Sequence, residues 1–130
     1  MTWEELEEVR KGKLHIEIIK DELRLIDDLL LPSKADSVGS SSSPSSPVEQ
    51  HFRRKQELEE KLKREQQDLI DKMLKVERWL STVKDNDIVL IVRNRFILGR
   101  SWNKVSRVIW GFADRTNAIN RLKYYLSREV

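Results

Sequence analysis

The chain has 130 residues, of which 36% are charged and 38% belong to AVILMFWYC, with four glycines, three prolines and no cysteine. That length holds one small domain with an extension, the composition favours long amphipathic helices over sheets, and the lack of cysteine excludes disulfides, thiolate zinc sites and cysteine nucleophiles. The net charge of +3 is unevenly placed: residues 1–31 carry nine acids and five bases, residues 32–87 eleven of each, and residues 88–130 nine bases and two acids.

An all-α fold follows from the patterning, taken in chain order. Thr2 and Glu5 have capping-box spacing, so a first helix opens there. Ile16, Ile19, Leu23, Ile26 and Leu30 recur at 3 and 4 residues, the spacing of a stripe packed on another helix. Gly12 weakens the early turns by about 1 kcal/mol relative to Ala, so fraying or a bend is expected there. Leu29, Leu30 and Leu31 run into Pro32, which ends the helix. The acidic face formed by Glu4, Glu5, Glu7 and Glu8 reads as solvated surface.

Residues 33–47 hold eight serines, Gly39, Pro44 and Pro47, too little apolar surface to offset the entropy of ordering, and are expected to form a flexible loop. A second helix then starts with Ser46 as N-cap, Pro47 in the first helical position and Glu49 completing a capping box. Its stripe is Leu58, Leu62, Leu69, Met73, Val76, Leu80 and Val83, and the helix reaches about Ser81. Two matched stripes joined by a polar loop predict a long antiparallel helical hairpin, a coiled-coil-like arm over residues 1–84. So narrow a stripe has little to bury alone, and a homodimer or higher homo-oligomer through the arm is expected.

Residues 85–130 read as a separate small domain. Asp85, Asn86 and Asp87 cap a short helix over 87–98, favoured over a strand because Arg93, Asn94 and Arg95 interrupt the apolar run and no partner strand flanks it. Gly99 ends it, Ser101 caps a second short helix containing Trp102 and Trp110, and Gly111 ends that. Asp114 caps the last helix, with Ala118, Ile119, Leu122 and Leu126 on one side and Asn117, Asn120, Arg121, Tyr124 and Arg128 on the other.

Three short helices with a glycine turn before the third are the layout of a helix-turn-helix, whose last helix enters the major groove. The candidate DNA-binding residues are Arg100, Lys104, Arg107, Arg115, Thr116, Asn117, Asn120, Arg121 and Tyr124. Asn pairs with two atoms of adenine and Arg with two of guanine, while Arg100, Lys104 and Arg107 suit phosphates, and Arg115 and Thr116 lie in the first turn of the last helix. Trp102 and Trp110 read as core, and Tyr124 and Tyr125 as packing residues at helical spacing that could also stack on bases.

The runs Asn94-Arg95-Phe96-Ile97-Leu98-Gly99-Arg100-Ser101-Trp102-Asn103-Lys104-Val105 and Gly111-Phe112-Ala113-Asp114-Arg115-Thr116 resemble the RinA- and ArpU-like phage-encoded late transcriptional regulators. In that family the C-terminal part looks like region 4 of a sigma factor. The resemblance extends over the helical arm and the Ser-rich segment with Asp36-Ser37-Val38, the arm being its less specific part. It implies a sequence-specific duplex-DNA-binding activator of late genes in a phage or prophage, with Arg115 and Thr116 opening the recognition helix, Trp102 in the core, and host RNA polymerase as a possible partner. Ser106 stands where the pattern has Ala, and Asn117 where it tends to have Val.

Two other readings compete: a phage small terminase subunit, which also joins a helix-turn-helix to an oligomerising hairpin, and a coiled-coil adaptor that never meets DNA. An enzyme is not expected, because no nucleophile lies beside a base and no phosphate-cradling Gly loop is present. No cofactor or metal is expected, since neither His15 nor His51 has a second histidine at ligand spacing. No apolar run reaches the roughly 18 residues of a membrane span, and Met-Thr-Trp-Glu-Glu is unlike a signal peptide, so the expectation is a cytoplasmic protein of a bacterial host cell.

Overall fold

The computed structural model describes residues 1–30 and 47–129, and every regular element in them is helical. Helix α1 spans Trp3–Leu29, α2 Pro47–Leu80, α3 Asn86–Val92, α4 Trp102–Trp110 and α5 Arg115–Ser127. Among the described residues no helix is long and apolar enough to cross a membrane. The Ser46 cap, the loop over residues 33–46, Leu31, Pro32 and the Asp36-Ser37-Val38 run lie outside the described residues.

Helix boundaries follow local chemistry. The Glu5 N–H donates to Thr2 Oγ1 (3.1 Å) and the Thr2 N–H to Glu5 Oε2 (3.3 Å), the reciprocal box that the spacing predicts. Pro47 is the first residue of α2, where its missing N–H costs nothing. The Asp85 carboxylate accepts the Asp87 N–H (3.0 Å) and caps α3.

The single helix expected over 87–98 is instead α3 followed directly by a π-helical stretch, Arg93–Ile97. There the Leu98 N–H reaches back five residues to the Arg93 carbonyl (2.9 Å). Buried Asn94 marks the change: its Nδ2 donates to the Leu90 carbonyl (2.7 Å), placing a side chain in the backbone ladder where the helix widens.

The chain packs as two units, and residue 84 is not their boundary. One unit joins Met1–Lys13 to the chain from Asp68 onward. Its core is Leu6 and Val9 of α1, Val76 and Leu80 of α2, Ile88, Ile91 and Val92 of α3, Phe96, Val105 of α4, and Ala118 and Leu122 of α5. The domain assigned to residues 85–130 therefore takes part of its core from the start of α1 and the end of α2. Charge separates the basic third from the rest, but burial does not, because the apolar faces of three short helices need a larger surface to close on.

Within this unit α1 and α2 run antiparallel, since Glu5 meets Lys75 (3.0 Å) and Gly12 lies against Leu69. A Cβ on Gly12 would stand 3.3 Å from Leu69 Cδ1, so the glycine permits close approach. α1 is helical through this position, and the expected fraying does not occur. Trp3 stacks on Trp102 (centroids 5.8 Å, planes 15° apart) and meets Phe96 edge-on (5.7 Å, 88°), so α1 seals the aromatic centre of the C-terminal helices.

The other unit, Leu14–Gln67, packs α1 beside α2 through Ile19, Ile26 and Leu58, with Leu23, Leu30 and Leu62 half-buried around them. Glu22 pairs with Arg54 (3.3 Å) and Asp27 with Lys55 (2.9 Å) along its edges. A second apolar stripe on α1, Leu14, Ile18, Leu25 and Leu29, is about half exposed.

Candidate nucleic-acid interface

The last two helices are set by a chain of caps. The Arg107 carbonyl accepts the Gly111 N–H (2.9 Å), and Gly111 closes α4 at φ 84°, a left-handed conformation that a residue with a side chain rarely adopts. Gly99 does the same before α4 at φ 74°, with Lys13 Nζ donating to the carbonyls of Ile97 and Leu98 (3.2 Å each). Ser101 Oγ accepts the Lys104 N–H (3.2 Å) and Asp114 Oδ1 the Asn117 N–H (3.2 Å), so both expected N-caps form.

The turn between α4 and α5 carries a bond that the sequence pattern does not signal. Ser106 is fully buried, and its hydroxyl accepts the Asp114 N–H at 2.8 Å while facing the carbonyls of Trp102 (3.2 Å) and Asn103 (3.0 Å). The Ser106 hydroxyl thereby ties the start of α5 to the inner face of α4.

Most of the candidate residues are exposed. Arg100, Lys104 and Arg107 flank or lie on α4, and Arg115, Thr116, Asn117 and Asn120 occupy the first half of α5, all open to solvent. Among the described residues, no carboxylate lies within salt-bridge distance of Arg100, Lys104, Arg107 or Arg115. Arg100 donates instead to Asn94 Oδ1.

Arg121 departs from the expectation of a free outward side chain. Its guanidinium is drawn to the start of α3, with Nη1 2.7 Å from Asp87 and Nη2 3.5 Å from Asp85. The helical wheel places Arg121 at the edge of the polar face, within reach of the α3 cap, and two carboxylates outcompete water for it. Beyond it the charges are balanced: Asp85, Arg121, Tyr124, Arg128 and Glu129 line a groove of about 500 Å³. Tyr124 is exposed on that side with Arg128 over its ring (5.4 Å). Arg100, Lys104, Arg107 and Arg115 thus gather around α4 and the start of α5, and the groove beside the second half of α5 is mixed in charge.

Tyr125 is a packing residue, edge-on to Trp79 (6.3 Å), and burial raises its phenol above its ordinary pKa, with Glu129 and Asp85 adding to the effect. Trp102 and Trp110 are half-buried against the core.

Two cations escaped the sequence reading. Lys123 is exposed on α5, with Nζ 5.4 Å from the centre of the Trp3 ring; its wheel position between Thr116 and Ile119 was the available signal. Arg95 sits over Trp102 (5.0 Å) and donates from Nη1 to the Arg100 carbonyl (3.1 Å). Burial, reinforced by Arg10 and Arg115 nearby, lowers the Arg95 pKa against the opposing pull of Glu7. Nothing in the pattern distinguished Arg95 from its neighbours, because its setting depends on Trp102 and on α1.

Among the described residues, no three His, Asp or Glu side chains converge as metal ligands. Comparison with family models finds no match, and comparisons with curated proteins and with solved structures find none either.

Proposed function

We propose that α4, the Gly111–Asp114 turn and α5 form a helix-turn-helix that binds duplex DNA, and that the protein is a sequence-specific regulator of the phage late-gene type. The observation that carries this reading is the clustering of exposed cations and amides on one stretch of the C-terminal helices. Arg100, Lys104, Arg107, Arg115, Thr116, Asn117 and Asn120 are exposed together around α4 and the first half of α5, whereas Arg93 and Arg121 of the same C-terminal third are held by Glu77 and Asp87. Arg and Lys on α4 would hold phosphates, and Asn117 and Asn120 would face base edges. This role belongs in a bacterial cytoplasm, with contact to host RNA polymerase as the activating step.

The arm would serve as a dimerisation hairpin. An antiparallel pairing of two α1 helices, centred between Asp21 and Glu22, sets Leu14 of one copy opposite Leu29 of the other and Ile18 opposite Leu25, with His15 meeting Asp28. The exposed stripe is therefore self-complementary, as a two-fold interface requires. A ring of subunits, the assembly that favours the terminase reading, would instead need a heterologous contact between two different patches.

The test is binding of fluorescent random duplex and of fragments selected from the encoding genome, at several salt concentrations, alongside mass in solution. A steep salt dependence with a preferred fragment and a dimer mass supports a regulator, and a ring of about eight or more subunits supports packaging. No salt-dependent binding to any duplex overturns both and leaves the adaptor.

A further inference from the structure

Arg95, Ser101, Trp102, Asn103 and Arg115 line a pocket of about 210 Å³ at the junction of α4 with the start of α5. Two guanidiniums face it from separate elements, and among the described residues neither has a carboxylate within salt-bridge distance. Burial lowers the Arg95 pKa, and repulsion from Arg10 and, least, from Arg115 across the pocket adds to it.

One donor is also left without an acceptor. Arg95 Nε is buried and unpartnered, although Nη1 of the same group is bonded to the Arg100 carbonyl and the guanidinium plane is held over Trp102. A buried donor without an acceptor costs about 1 to 3 kcal/mol, more when charged, so Arg95 is held at a cost that an anion beside its guanidinium would offset by pairing with the charge. Glu7, the acid whose charge acts on Arg95, is engaged with Arg10 at 3.0 Å. The side chain is thus oriented and charged, and it lacks an anion.

We infer that this pocket binds one phosphate group, gripped between Arg95 and Arg115 with Ser101 and Asn103 at its rim. Guanidinium is matched to tetrahedral oxyanions through paired N–H donors, and Trp102 fixes its plane as a Lys in this position could not be fixed. Where the protein is bound to DNA, which rests on the function proposed above, the ligand is a single phosphodiester of the duplex backbone. Arg95 and Arg115 then clamp the same phosphate, so their contributions are not independent.

Two measurements on the full chain test this. In the first, the log–log salt slope of random-duplex binding is compared for wild type, Arg95→Gln, Arg115→Gln and the double variant. One shared phosphate predicts that each single variant flattens the slope by up to about 0.9 and that the double variant flattens it by no more than that. Arg115 is exposed, so Arg115→Gln reports even if Arg95→Gln disturbs the packing on Trp102. In the second, dimethyl phosphate is titrated at constant ionic strength while the Arg95 Nε–H and Trp102 indole resonances are followed. Saturable shifts in wild type that vanish in Arg115→Gln support the site.

Duplex binding with unchanged slopes in all variants overturns the clamp and leaves the DNA-binding reading standing. Saturable dimethyl phosphate shifts without any duplex binding support the pocket and overturn the DNA source. Absence of both responses overturns the pocket and the reading together.

Discussion

The hydroxyl of Ser106 and the backbone N–H of Asp114 are bonded at 2.8 Å inside the turn that sets α5 against α4. Ser106 is fully buried and Asp114 half-buried, so water replaces the bond only in part. Ser106→Ala is expected to lower unfolding stability by about 1 to 2 kcal/mol, because the Asp114 N–H loses its acceptor. Denaturant unfolding reads this as a lower midpoint at unchanged slope; a midpoint equal to wild type would show that the bond contributes nothing net.

Arg121 is expected to act on stability more than on base recognition. A double-mutant cycle of Arg121→Gln with Asp87→Asn should return a coupling of about 0.5 kcal/mol, small because both side chains are about one third exposed. DNA affinity of Arg121→Gln, measured where the protein is fully folded, should stay within a few-fold of wild type. A loss of a hundredfold would mean that the guanidinium leaves Asp87 to contact the duplex.

Acid should weaken the unit that contains α3. The Arg93 guanidinium, bonded to Glu77 at 2.7 and 3.0 Å, holds that carboxyl below its ordinary 4.5, and Lys75 does the same to Glu5. A depressed folded-state pKa means stability that is present above the ordinary carboxylate range and lost as pH falls through the folded value. Both partners of the Glu77 pair are more than 40% exposed, so its share is a fraction of about 1 kcal/mol. The stability difference between wild type and Glu77→Gln should be largest near neutrality and shrink below about pH 4, as followed by circular dichroism.

On the surface of α4, Lys104→Gln and Arg107→Gln should weaken binding to all duplexes alike, each flattening the salt slope by about 0.9. Asn120→Ala should leave the slope unchanged and relax preference at one base pair, a loss of about 1 to 3 kcal/mol on the preferred fragment alone. Equal effects of Asn120→Ala on every fragment would remove that residue from sequence reading.

The exposed α1 stripe makes a separate prediction. Ile18→Glu with Leu25→Glu should convert a dimer to a monomer in sedimentation while leaving helix content unchanged, since neither side chain belongs to the buried core. An unaltered mass would locate the contact between copies elsewhere.

Much of the secondary structure was readable because it rests on short-range rules. Thr2 with Glu5, Pro47, Ser101, Asp114 and the two glycines at positive φ all act within four residues of themselves. What escaped depends on residues distant in the chain. The wheel of α5 could not show that Arg121 would meet Asp85 and Asp87, and the charge pattern could not show that Trp3 would stack on Trp102. The π-helical stretch escaped for another reason: a buried Asn inserted into a ladder has no periodicity to reveal it.

The stacking of Trp3 on Trp102 joins early and late parts of the polypeptide. During synthesis Leu6, Val9 and Trp3 leave the ribosome long before α4 and α5 exist, so the first helix must wait with an uncovered apolar face until the final helices emerge. A nascent chain of this kind is a natural client for a holding chaperone, and a stop codon introduced after α2 would release a product that stays sticky rather than one that merely lacks a module.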